Sequence, residues 1–225
     1  MSLGVGIHKN VQVTKVTKND KGTLVIGFKQ DVEVDPLAAL STAGQTDFDQ
    51  PELDLLVYSP RVQNFNGGLK NTEELLNSIA ELKDPLDHIA SVYLTADKRK
   101  WDVFANTGIT KDNLSSLLAE QTTMDKVYAN IITQFISMMT GVIGTSSKKV
   151  NVMFIRQSKA KHYPKLRTKY LTTYPFIEPA DVNPSKLRFS KYESEQGYDK
   201  GDAAGGAQTV NTAEAAQASS MFATK

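Results

Sequence analysis

The chain has 225 residues, with 26 Lys and Arg against 25 Asp and Glu and no cysteine. Its length suits one domain, or one domain with an appendage, and the missing cysteines exclude disulfides and thiolate zinc sites. The first ten residues lack a basic stretch followed by an apolar run, and the stretch from Ile131 to Ile143 is short and broken by Thr, Gln and Ser, so neither a signal peptide nor a membrane span is expected.

Val11, Val13 and Val16, then Leu24, Ile26 and Phe28, alternate with other residues on either side of "NDKG", which predicts a β-hairpin. "STAGQTDFDQPELD" has loop chemistry. Its Asp47, Asp49, Glu52 and Asp54 lack the Gly and the twelfth-position Glu of a calcium loop, so no metal is assigned. A short strand, "LDLLVYS", follows. Thr72 stands as an N-cap before "EELLNSIAEL", and Asp84-Pro85 opens a second helix through "LDHIASVYL". "KWDVFAN" reads as a strand. Leu114, Leu117, Leu118, Val127, Ile131 and Phe135 then recur at helical steps and predict one helix from Asp112 to about Val142. "KVNVMFIRQ" is a strand with Val150, Val152 and Phe154 on one face, and "KLRFSKYE" alternates like an edge strand. From about residue 197 the chain turns to Ala, Gly, Gln, Ser and Thr, the composition of a flexible tail. The order of elements predicts an α+β domain over residues 1–196. It is an OB-like, small, partly open β-barrel with a helical insert at about 70–145, followed by the tail at 197–225.

The net charge of +1 conceals blocks. Residues 1–30 carry +4, residues 31–147 carry −9, residues 148–192 carry +9 and the remainder −3. A basic block in an otherwise acidic chain suggests a polyanionic partner, or a solvated face paired with the acidic middle. Catalysis finds little support. His8, His88 and His162 are far apart, and no nucleophile elbow, HExxH, P-loop or dinucleotide fingerprint occurs, so no enzyme and no cofactor are expected.

The basic block interleaves Lys159, Lys161, Lys165, Arg167 and Lys169 with Tyr163, Tyr170 and Tyr174. Single-strand binders need that combination, because cations track phosphates and flat rings stack on bases. The competing reading has these tyrosines capping a small barrel, with Phe154, Phe176 and Phe189 in its core. Lys9, Lys15 and Lys18 on the hairpin extend the expected groove. No predicted helix carries the cations, which disfavours duplex reading.

"GIHKNVQVTKV", "GTLVIGFKQ", "LDHIASVYL" and "KKVNVMFIRQ…YPKLRTKY…YPFIEPADV…SKLRFSKYE" resemble the single-stranded DNA-binding proteins of tailed bacteriophages. The resemblance implies an OB fold that coats single-stranded DNA during phage replication or recombination, in the host cell cytoplasm. Implied partners are single-stranded DNA or RNA, replication or recombination proteins, and further copies of the chain. Such proteins often end in an acidic tail that recruits partners, whereas this tail is Ala/Gly-rich and mildly acidic. The alternative function is a virion structural protein whose basic segment contacts an acidic protein neighbour.

Overall fold

Alternating apolar residues on both arms of the N-terminal hairpin build the centre of the fold. In the computed structural model, which describes residues 3–30, 52–143, 145–158, 161–168 and 174–200, β1 (Gly6–Lys18) pairs antiparallel with β2 (Leu24–Gln30). Asn19 closes the turn: its Oδ1 accepts the N–H groups of Lys21 and Thr23, and Gly22 takes the positive φ the turn requires. β3 (Glu52–Val57) pairs with β2, and β4 (Val150–Ser158) pairs with the far edge of β1. The other edge of β4 is shared, with β6 (Ile177–Pro179) along Val150–Val152 and β5 (Lys161–Lys165) along Ile155–Ser158. The six-stranded sheet is antiparallel throughout, runs β3-β2-β1-β4-β5 and does not close on itself. With four α-helices among the described residues, the fold is α+β.

Three of the helices lie between β3 and β4 in the chain, where an insert is expected. α1 (Thr72–Tyr93) is one helix rather than two. Leu75, Ile79, Leu82, Leu86 and Ile89 form one unbroken buried stripe across Pro85, and packing along that stripe holds the helix together although Pro85 donates no hydrogen bond. Its N-cap is Asn71, one residue before the predicted Thr72, with a capping box to Glu74. The single helix expected from Asp112 to Val142 is two, α2 (Leu114–Leu118) and α3 (Gln121–Thr140). The break at Glu120 frees the Gln121 side chain to bind the Pro60 carbonyl and the Val62 N–H.

The strand expected at "KWDVFAN" is a series of turns. Asn130 and Gln134 of α3 take the Asp102 carbonyl, and Asn130 takes that of Val103, so these groups are not offered to a ladder. Trp101 stacks on Phe135 and donates to Asp87. Val11, Val13, Leu24, Ile26, Phe28, Leu55, Val150, Val152 and Phe154 meet α1 and α3 in the main core. Tyr128 of α3 stitches the layers: its hydroxyl donates to the Val57 carbonyl (2.6 Å) and accepts the Leu24 N–H (2.8 Å).

β4 is buried on both faces, not one. Met153 and Ile155 point away from the helices and are covered by Leu187, Phe189 and Tyr198. The covering segment is not the strand that its alternation suggests. It runs extended and then forms α4 (Lys191–Glu195), with Ser190 and Glu193 as a capping box. Contacts continue past residue 196, since the Arg156 N–H donates to the Tyr198 carbonyl at 2.9 Å. No helix among the described residues is long and apolar enough to cross a membrane.

Candidate nucleic-acid interface

β5 sits at the end of the sheet and presents the start of the basic segment. Tyr163 is 74 % exposed there. Two residues on, Lys165 is half-buried against Glu81, and desolvation by its surroundings holds its pKa below the ordinary lysine value while Glu81 pulls the other way. Lys161 opens the strand, but its side chain lies outside the described residues, as do Lys159, Lys169 and Tyr170.

Arg167 is not a phosphate ligand in this fold. It is 2 % exposed and forms a two-pronged ion pair with Glu193, from Nε at 2.7 Å and Nη2 at 2.8 Å. Nη1 donates to the carbonyls of Tyr174 (3.1 Å) and Pro175 (2.8 Å), and Nη2 also donates to that of Arg188 (2.6 Å). Every face of the guanidinium fork is therefore occupied. Burial lowers its pKa and Glu193 opposes the shift, but an arginine stays charged regardless. The cation counted as a ligand by its charge is instead a clip joining four stretches of chain.

That clip sets Tyr174 beside the end of β5. Tyr174 is half-buried, and the Arg188 guanidinium lies over its ring at 4.0 Å from the centroid. One face of the ring is thus covered by a cation, so Tyr174 and the exposed Arg188 form a composite surface rather than a bare stacking ring. Glu178, one of the two acids among residues 148–192, is buried. It accepts from the Asn151 side chain and from the Lys186 N–H.

The hairpin lysines do not converge. Lys15 pairs with Asp54 at 2.6 Å, as Lys29 pairs with Glu52 at 3.0 Å. Lys18 donates to Thr133 of α3 at 2.9 Å. Lys9 is exposed toward the opposite end of β1, roughly 30 Å from Lys18 at ordinary strand rise. Of the expected groove, Tyr163 and Lys165 share β5, and Tyr174 is tied through its carbonyl to Arg167, two residues past that strand. His8 is buried with its ring on the Gly4 carbonyl, and the ring of His88 lies against Phe176.

The sheet curls far enough that its two ends line one cleft of about 340 Å³, floored by α1. Lys165 and Gln157 stand on one side, Tyr58 just beyond β3 on the other, with Lys70 and Glu81 between. Tyr58, Lys70 and Arg188 have no counterpart in the groove read from the sequence. Tyr58 ends an apolar strand and Lys70 precedes a helix cap, and nothing local marks either as near Lys165. No family model, curated protein or solved structure matches the chain.

Proposed function

We propose that the chain binds single-stranded DNA without catalysis, with little sequence preference, as a coating protein of phage replication or recombination acting in the host cell cytoplasm. On this reading the curled sheet is a partly open, OB-like barrel with a helical insert between its third and fourth strands. The observation that carries it is the exposed Tyr163 on an end strand, two residues from Lys165, which itself lines a cleft formed from both ends of the sheet. A ring with open faces beside cations is what a base and its phosphate require. The exposed Arg188, lying over the Tyr174 ring, supplies a further cation. Lys165 and Arg188 neutralise phosphates, Tyr163 stacks, and Arg167 holds the framework.

Titration of labelled single-stranded and duplex DNA across a salt series tests the reading. If other lysines of the basic block join Lys165 and Arg188 in neutralising four to six phosphates, the log–log slope is about −3 to −4, at roughly −0.7 per phosphate. Tyr163→Ala weakens single-strand binding by about 1–3 kcal/mol and Tyr163→Phe far less. Absent binding at low salt, or binding indifferent to salt, sinks the proposal and favours a virion protein whose basic segment meets an acidic neighbour.

A further inference from the structure

The link from β3 to α1 is a hairpin of its own, tied down at its base and open at its tip. Gln63 and Leu69 form a bridge, the Asn64 N–H donates to the Gly68 carbonyl at 2.7 Å, and the Lys70 N–H donates to the Val62 carbonyl at 2.9 Å. Gly67, at φ 85°, closes the tip onto Asn64. Val62 is buried and Gln121 of α3 grips the backbone on either side of Arg61, so the arm is anchored. Yet Phe65 at the tip is fully exposed, and Tyr58 at the base is 62 % exposed.

An isolated exposed ring needs no explanation, but Tyr58 lines a second open cleft of about 790 Å³, and Phe65 stands two residues beyond Gln63, which also lines it. Arg61 of the arm, Lys18 and Lys21 of the β1–β2 turn, and α3 line it. Its one carboxylate, Asp125, accepts from Ser59 (2.6 Å) and Gln121 (2.9 Å). Tyr58 belongs to the wall of both clefts, so the cations Lys165 and Lys70 lie to one side of it and Arg61, Lys18 and Lys21 to the other.

We infer that the residue 58–70 arm is a second contact for the same nucleic-acid strand. The strand leaves β5, passes Tyr58, and enters the second cleft, where Arg61, Lys18 and Lys21 meet phosphates and Phe65 stacks on an outlying base. This rests on the single-strand reading of the β5 surface. A protein partner would seek a broad apolar face, whereas this cleft offers three cations against one occupied acid, a polyanion's complement.

The test uses the full chain with oligothymidylates of about 6 and about 24 nucleotides, the first near the lower end of single-barrel site sizes and the second beyond their upper end. Tyr58→Ala and Phe65→Ala should each weaken binding of the longer strand by about 5- to 150-fold, the range measured for loss of one stacked base. Tyr58→Phe should retain affinity, and Arg61→Gln should reduce the salt slope by about 0.7. Melting of every variant should match the parent, because the altered side chains are exposed. Affinity and slope unchanged in these variants, while Tyr163→Ala weakens binding, would overturn the arm's role and leave the β5 reading standing. Affinity lost only in proportion to folded protein would overturn it too. No binding by the parent chain would defeat both.

Discussion

The basic segment after β4 and the arm after β3 carry similar side chains and use them in opposite ways. In the first, a dense run of cations and rings is partly consumed by folding. Arg167 is sealed under Glu193, and Arg188 covers one face of Tyr174. In the second, an unremarkable sequence leaves Tyr58, Arg61 and Phe65 at the surface of an anchored turn. Charge density along a chain therefore counts cations, not cations available to a ligand. Availability is decided by whether an acid or a carbonyl elsewhere in the fold has already claimed the donor.

The sharpest way to break that contrast is at Arg167. Arg167→Ala leaves Glu193 buried without its partner and should cost about 3–5 kcal/mol in a denaturant titration. Lys165→Ala should leave stability near that of the parent and weaken single-strand binding instead. An Arg167→Ala chain that melts normally and binds poorly would return Arg167 to the ligand surface and erase the distinction.

A smaller effect concerns the roof over β4. Ending the chain after Gln196 removes the Tyr198 ring from Met153 and Ile155, and the carbonyl that receives the Arg156 N–H. The expected loss against a chain ending after Lys200 is about 1–3 kcal/mol, a fall in Tm on the order of 5 °C. Equal melting of the two truncations would mean that Tyr198 adds nothing to the roof.

The mildest effect is one of pH. Burial holds the Lys165 pKa below the ordinary lysine value, so Lys165 sheds its charge before exposed lysines do. Its contribution to phosphate binding should fade first as pH rises toward the ordinary lysine range. The stability sign is opposite: below its folded pKa the desolvated charge costs stability, and that cost is relieved as pH climbs through it toward the unfolded value. Lys165→Arg keeps its charge throughout and should abolish the early fade in affinity. An identical fade in both proteins would place the titrating group elsewhere.

Much of the sheet was legible in the sequence because its signals are local. Period-two alternation and the Asn19–Gly22 turn define the first hairpin, and Val150, Val152 and Phe154 mark one face of β4. The other face was not legible, since Leu187 and Phe189 cover Met153 and Ile155 from more than thirty residues away. "KWDVFAN" misled for a similar reason: side chains of α3 had taken the Asp102 and Val103 carbonyls. At the candidate site, the exposure of Tyr163 comes from its place on the end strand β5, which nothing in the local sequence announces. The fate of Arg167 depends on Glu193, 26 residues on, and no property of the basic segment reveals it.

The pairing of β1 with β4 carries a consequence in time. Val11 meets Val150, and the Asn10 N–H reaches the Asn151 side chain, a partner 141 residues later in the chain. At about 5–20 residues per second of synthesis, the free edge of β1 waits roughly 7–30 s for its neighbour. An edge left open that long invites pairing with another nascent chain. Lys9, Lys15 and Lys18, the left-handed Asn10 at φ 55° and the register shift against β4 between His8 and Val11 all fall on this strand. Charge and broken register make β1 a poor template for a stranger, while β4 arrives with the irregularity that fits it.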